Sequence, residues 1–590
     1  MNQSAQSRHL RRGLLAVGSA TLLATSMPIA AGAAPPPANG FKTSQAPMLT
    51  FGSGSPADMT IKPVITVGDS LGGYRYEAIP DGISVLPDGR NTVRAFINHE
   101  TSRVPFPYVP AGPTAANTLN DFDNAQVSEL QIHRGGAVVS GQLLIDSSQN
   151  LQRLCSNYVA RGDNDGFSRP VFFTNEEGID WVFESGNSWT DTTFIENAAG
   201  ARQIGAVVAY DVNNETSTTV WGMGRLNHEN DVALRGFGKP VVLSGDDPFV
   251  SNPAQSQIYQ YIADSADDLL SDDGTLYAFV SDDPDVNDYY DFAAGSTSFV
   301  SGHFMAVPKV IAVGKNPDGS DMISSEVPAS EGGPYPAPPS DGTWQRGPGV
   351  TAGIDGPQWI LEHWGDLNNV FQFVRIEDVA WDKRPGMSNV VYLADSGRGA
   401  TSAGGNAFTS SNGRIWKMVL DPDDPTHVTS LSILIDGDDN PVKTVGEIHQ
   451  PDNLETTASG LYVLEDPGSS QQFDAAQQVS DAARATTARV WQYRFADGAT
   501  NVVAKVDQSA DEGPTDEDAA TTAGRWGEWE STGIVDVSDW FGPGKFLINV
   551  QAHTLFVDVA EGPDNLAPAG ADWTDKREGG QLLLLTIPGG

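Results

Sequence analysis

Seven short segments place carboxylates where a strand should end, and these residues are the best equipped in the chain for chemistry. In order they are Asn98-His99-Glu100, Glu176-Glu177, Asn227-His228-Glu229, Gly245-Asp246-Asp247, Arg375-Ile376-Glu377-Asp378, Pro451-Asp452-Asn453-Leu454 and Glu530-Ser531-Thr532-Gly533. A single acidic residue after a strand is usually a solvated turn residue. The Asn-His-Glu that occurs at both Asn98 and Asn227 is less easily dismissed. If the partner is an anion, carboxylates gathered in this way need bound cations, and calcium is the usual extracellular choice. Cys155 is the only cysteine, so there is no internal disulfide, and the thiol is either core packing or a metal ligand.

The charge balance narrows the partners. With 76 acidic against 35 basic residues the net charge is -41, a surface that repels nucleic acid and anionic lipid. A solvating acidic coat suited to salty surroundings accounts for most of that excess.

The elements that must hold these residues are short β-like runs. Examples are Thr92-Val93-Arg94-Ala95-Phe96-Ile97, Val241-Val242-Leu243, Val390-Val391-Tyr392-Leu393-Ala394 and Phe546-Leu547-Ile548-Asn549-Val550, with Asp-, Gly- and Asn-rich turns between them. A glycine followed closely by an aliphatic–aromatic pair recurs at Gly274, Gly413 and Gly460, as the blades of a propeller would give. The expectation is an all-β, six-bladed β-propeller with long loop insertions, chiefly over residues 281–370; a set of sandwich domains is the alternative. The best helical stretch is Gln472 to Ala485. Gly68-Asp69-Ser70-Leu71 spells a serine-esterase signature, but that motif needs an α/β scaffold, which a strand-rich chain does not offer.

The N-terminus reads as an export signal. Arg8, Arg11 and Arg12 precede an apolar stretch from Gly13 to Ile29, and Ala31-Gly32-Ala33 fits a cleavage site. Residues 1–33 are therefore expected to be a signal peptide, of the twin-arginine type if the Arg11-Arg12 pair is read by its receptor, or an ordinary secretory one otherwise. Residues 34–60 are expected to be a flexible lead-in and 61–590 the propeller. No other apolar run approaches the roughly 18 residues that cross a bilayer, so the cleaved product is expected to be a monomer off the membrane, periplasmic or extracellular.

In order along the chain, several segments resemble the PhoX-type alkaline phosphatases. They are Gly72-Gly73-Tyr74-Arg75-Tyr76-Glu77, Phe96-Ile97-Asn98-His99-Glu100, Cys155 with Glu176-Glu177 after it, and Met223-Gly224-Arg225-Leu226-Asn227-His228-Glu229. Further on come Ser244-Gly245-Asp246-Asp247, Arg375-Ile376-Glu377-Asp378, Pro451-Asp452-Asn453-Leu454, Glu530-Ser531-Thr532-Gly533 and Leu547-Ile548-Asn549-Val550-Gln551-Ala552-His553. The resemblance implies a six-bladed propeller that hydrolyses phosphomonoesters at a centre of two ferric irons and calcium. It implies Cys155 as an iron ligand, with Glu176 or Glu177, Glu229, Glu377 and Asp452 completing the shells. Glu100, Asp246, Asn453 and Glu530 would be outer or calcium ligands. Arg375 has no lone pair for a metal, and its planar fork suits phosphate oxygens. The chain departs from the family pattern at Arg161-Gly162-Asp163-Asn164-Asp165-Gly166 and at Gln551-Ala552-His553-Thr554. These departures leave open the choice between Glu176 and Glu177 and the role of His553. Two other readings compete: a calcium-only propeller phosphatase of the phytase kind with Cys155 as core, and a secreted propeller that binds without catalysing.

Overall fold

Among the described residues six strands each open a run of antiparallel neighbours, and their order follows the chain. We label them β1 (Pro80–Pro87), β2 (Leu154–Ala160), β3 (His228–Ala233), β4 (Ile376–Trp381), β5 (Pro451–Thr456) and β6 (Glu530–Asp536). The computed structural model describes residues 40–100, 125–146, 149, 151–183, 200–250, 253–345, 352–398, 411–440, 442–470, 472–473, 475–508, 527–558 and 576–590. The expected signal peptide lies outside these residues.

Each leading strand begins a run of antiparallel neighbours. β1 is followed by Thr92–His99, Gln126–His133 and Ala137–Ile145, and β2 by Val171–Glu176, Val207–Asp211 and Thr216–Val220. The units led by β3 and β4 merge into one nine-stranded sheet, because Phe299–Ala306 pairs with Thr275–Ser281 on one side and His427–Asp436 on the other. The last unit is closed by both ends of the fold: Thr60–Thr66 pairs with Lys576–Thr586 beside Lys545–Asp558. The leading strands contact one another in a cycle, β1 to β2 and onward to β6, which returns to β1. The protein is therefore mostly β, with its sheets arranged around the six leading strands.

Sequence and burial agree on why the strands sit this way. The second strand of a unit is covered on both faces, so Val241–Asp246 and Val390–Asp395 are buried at every residue and read as unbroken runs. Outer strands such as Ala137–Ile145 and Thr216–Val220 are partly exposed, the second of them with threonine and serine. Part of the expected lead-in is ordered. Leu49–Phe51 adds to the unit led by β5, and Met48, Leu49 and Met59 are buried, because each finds an apolar sheet edge to cover. The Gln472–Ala485 stretch holds one short helix, Ala475–Ser480, and a 3-10 turn at Ala482–Arg484.

One element that hydrophobic patterning did not single out is the helix Pro357–Leu367 inside the expected insertion region. Proline at its start costs nothing, since the first N–H groups lack helical partners anyway. Gln358 on this helix donates to the carbonyls of Gly178 and Ile204 at 2.6 and 3.0 Å, and so braces the loop after Glu177.

Candidate metal centre

The leading strands all run from the same end of the cycle, and their first residues bring the acidic groups together. The second residue is Asp81 in β1, Cys155 in β2, Glu229 in β3, Glu377 in β4 and Asp452 in β5. A repeated irregularity aims them. In β1, Pro80 pairs with His99 but Ile83 pairs with Ile97, so three steps on one strand match two on the other. The same bulge occurs in β2, β3, β4 and β5. A bulge rotates the extra residue out of the ladder, and here it falls at the second and third positions each time.

Backbone strain repeats as well. The residues just before β1, β2 and β5 are Ile79, Arg153 and Gln450, with φ of 35°, 44° and 44°. A β-branched residue such as Ile79 pays a real steric cost there, so tertiary contacts must hold it.

In the units led by β1, β2, β3 and β5 the second strand supplies a second set of polar groups, most of them acids. The residue that pairs with the start of the leading strand is His99, Glu176, Asp246 or Glu465, and the residue after it is Glu100, Glu177, Asp247 or Asp466. The two positions do different work. Glu176 accepts from Gln152 N at 3.1 Å and is clasped by Arg202 at 2.7 Å, Asp246 accepts from Asn227 N at 3.1 Å, and Glu465 accepts from His449 N at 3.2 Å. These are anchors for the chain entering each leading strand. The residue after each anchor is the one turned toward the centre.

Donor atoms then form a continuous chain of clusters. Asp81, Glu100 and Cys155 approach within 4.8 Å of one another, as do Cys155, Glu177 and Glu229, then Glu229, Glu377 and Asp452, and finally Asp452, Asp466 and Glu530. Of the residues anticipated from sequence, Cys155, Glu177, Glu229, Glu377, Asp452, Glu100 and Glu530 are brought together. Glu176 and Asp246 are anchors instead. Asn453 lies one layer below, donating to Ser156 Oγ at 3.0 Å and accepting from the Thr532 hydroxyl at 2.8 Å, so both ends of its amide are engaged. The two Asn-His-Glu segments are not equivalent: Asn98-His99-Glu100 ends a second strand, whereas His228-Glu229 opens β3.

Sequence reasoning missed Asp81 and Asp466 and did not select Asp247. Asp81 sits in Pro80-Asp81-Gly82, which reads as a turn. Asp466 did leave a signal, because Glu465-Asp466 ends its strand as Glu176-Glu177 and Asp246-Asp247 end theirs.

The electrostatics are one-sided. Burial pushes the carboxyls of Glu100, Glu177, Glu229, Asp452 and Glu530 well above their usual range, and neighbouring carboxylates add to the effect. The Cys155 thiol is raised by burial too, then by Asp81 and Glu229. Its Sγ lies 2.6 Å from Asp81 Oδ2. At Glu377, burial raises the carboxyl while Arg375 opposes it. Arg375 reaches Asp247 at 2.5 Å and Glu377 at 3.3 Å, and His553 pairs with Glu530 at 2.8 Å. Those cations are few beside so many acids. Among the described residues, Glu229 Oε1, Asp247 Oδ1 and Asp466 Oδ1 are buried with no hydrogen-bond partner. Buried acids left this way call for positive charge from outside the chain. Oxygen donors suit a hard cation such as calcium, and the thiolate of Cys155 suits a softer transition ion. The donor set therefore fits bound metal.

At the other end of the leading strands the environment changes. A cavity of about 90 Å³ is lined there by residues from all six, with Arg161, Arg235 and Lys383 among them.

Comparison with known proteins adds little. No family model matches this chain, and no curated protein matches it. Among solved structures, the extracellular domains 1-2 of Drosophila Semaphorin 1a align with 68% of this chain and 86% of their own, at 9% identity and a TM-score of 0.19. That superposition is too loose to bear on function.

Proposed function

We propose that this protein is an exported alkaline phosphatase of the PhoX type, a six-bladed β-propeller that hydrolyses phosphomonoesters at an iron–calcium centre. The fold reading rests on the closed cycle of six leading strands and on the sheet closed by both chain ends. The observation that carries the functional reading is the mixed donor chain. One thiol and a run of carboxylates lie within 4.8 Å of their neighbours in each cluster, with the guanidinium of Arg375 on their border.

In this reading Cys155, Glu177, Glu229, Glu377 and Asp452 hold iron and share calcium, with Asp81, Glu100, Asp466 and Glu530 around them. Such cations, when bound, neutralise phosphate charge and act as Lewis acids. Arg375 does the rest of the recognition. Asp247 and Glu377 fix its guanidinium, so its free N–H groups are preset for the equatorial phosphate oxygens, where charge builds in the transition state. The ester is oriented before it reacts, and orientation alone removes a large part of the barrier.

A second reading has one observation in its favour. Cys155 Sγ is placed to donate to Asp81 Oδ2, as a neutral thiol would. The centre would then hold calcium alone.

Elemental analysis of the native protein, paired with hydrolysis of a chromogenic phosphomonoester with and without chelator, tests the proposal. Near-stoichiometric iron with calcium, and activity abolished by chelation, are expected. Calcium without iron would leave the second reading. An inactive but metal-loaded protein would point to a binding propeller. Full activity and full iron in Cys155→Ala would overturn the assignment of the thiol.

A further inference from the structure

The residue just before each leading strand is Ile79, Arg153, Asn227, Arg375, Gln450 or Trp529. Arg153 thus occupies in the unit led by β2 the place that Arg375 occupies in the unit led by β4. Both stand at the end of the cycle where the acidic clusters lie, and both are fixed by an acid. Asp180 holds Arg153 at 2.7 Å, as Asp247 holds Arg375 at 2.5 Å. Arg153, however, has an additional neighbour: its guanidinium lies over the ring of Phe249, 5.6 Å from the centroid.

What distinguishes Phe249 is its place: it is 44% exposed and stands two residues after Asp247, the residue that grips Arg375. Its backbone is tied down, with Asp247 N donating to Asn227 O at 2.9 Å and Phe249 N reaching Gln345 Oε1 at 3.4 Å. The pinned Arg153 guanidinium lies over the ring, and among the described residues no other aromatic or cationic group stacks on it.

We propose that Phe249, backed by Arg153, is a stacking platform for the alcohol part of the substrate, and that it selects phosphomonoesters whose alcohol carries a planar ring. This rests on the phosphatase reading of the same site. The phosphoryl group is gripped at Arg375, and Asp247 links that grip to the platform within three residues of chain. Stacked and edge-on aromatic pairs favour such alcohols over aliphatic ones of similar reactivity. Phe249 is therefore a specificity determinant, and Arg153 is a positioning residue that sets the ring.

Benzyl phosphate and glycerol 1-phosphate make a matched test, since both release a primary alcohol and only one carries a ring. The wild type is expected to favour benzyl phosphate about tenfold in kcat/KM, mostly through KM. Phe249→Ala should erase that preference while leaving glycerol 1-phosphate unchanged, and Phe249→Trp should restore it. Arg153→Gln should weaken the preference in the same direction. Equal effects of Phe249→Ala on both esters, or none on either, would overturn the platform. If the wild-type protein hydrolyses neither ester, the phosphatase reading fails first and the platform falls with it.

Discussion

Asp321 and Glu229 are both shut away from water, yet their surroundings drive them in opposite directions. Burial alone would raise the carboxyl of Asp321, but Arg225 and Lys315 outweigh it and pull it down to about 2. Arg225 bonds it at 2.9 and 3.1 Å, Lys315 at 2.9 Å, and Gln203 N at 2.7 Å. Every charge in that network is answered from within the chain. Glu229 meets Asp452, Glu177 and Glu377 instead of cations, so its carboxyl is driven up and one oxygen has no partner. The same backbone pays for one buried acid internally and leaves another dependent on something it must take from solution. That contrast, more than the number of acids, marks the centre as a site.

The contrast breaks most visibly if the outside charge is removed. Stripping the cations from the native protein should lower phosphomonoester hydrolysis by about 10³-fold or more, since Lewis-acid stabilisation is lost entirely. Restoring metal should return it. Arg375→Ala should reduce kcat by about 10²–10³-fold with the metal content unchanged, which separates the guanidinium from the metal ligands. Elemental analysis beside steady-state kinetics reads both. Loss of metal in Arg375→Ala would show that the arginine holds the centre together rather than meeting phosphate.

Asp321 should answer differently. Asp321→Asn strands the fully buried Arg225 guanidinium, and a loss of about 3 kcal/mol in urea unfolding is expected, with or without metal. The pH dependence has a definite sign. The folded carboxyl sits near 2 against an unfolded value of 3.8, so its contribution is complete above about pH 4 and fades as the pH falls toward 2. The gap between wild type and variant should close over that window.

How much of this was legible in the sequence depends on which physical feature carried it. Strand-forming runs are written in composition, so the β class was readable from segments such as Val390–Asp395. Glu229, Glu377 and Asp452 were readable because each belongs to a distinctive short segment, and Cys155 because it is the single cysteine in the sequence. The choice within Glu176-Glu177 was not. It is set by strand register, where one step turns a side chain from the strand's partner to the centre, and register is a property of two strands. Register also keeps Asp246, an outer or calcium-ligand candidate from sequence, out of the clusters, and Asp247 beside it was overlooked. Asp81 stayed hidden because a bulge, absent from any local pattern, lifts it out of what reads as a turn. The doublets now predict a division that mutation can check. Glu176→Gln should destabilise the protein by about 3 kcal/mol by removing the carboxylate that the buried Arg202 clasps at two points, and should spare the metal. Glu177→Gln should do the reverse.

The smallest expected effect is also the one that turns the comparison around. In the metal-free protein, Glu229 is a buried acid among buried acids, so Glu229→Gln removes repulsion and keeps the side-chain volume. The variant should then be more stable than the wild type by about 1 kcal/mol, the low end of what relieving an unpaired buried charge yields. With metal bound the sign should invert, because the same carboxylate is now a ligand. Asp321→Asn has no such inversion available, since its partners never leave. Thermal unfolding of both variants, each with and without metal, therefore places the two acids in different classes by sign rather than by size. If Glu229→Gln destabilises the metal-free protein as well, the chain must already compensate that charge internally, and the distinction between the two regions collapses.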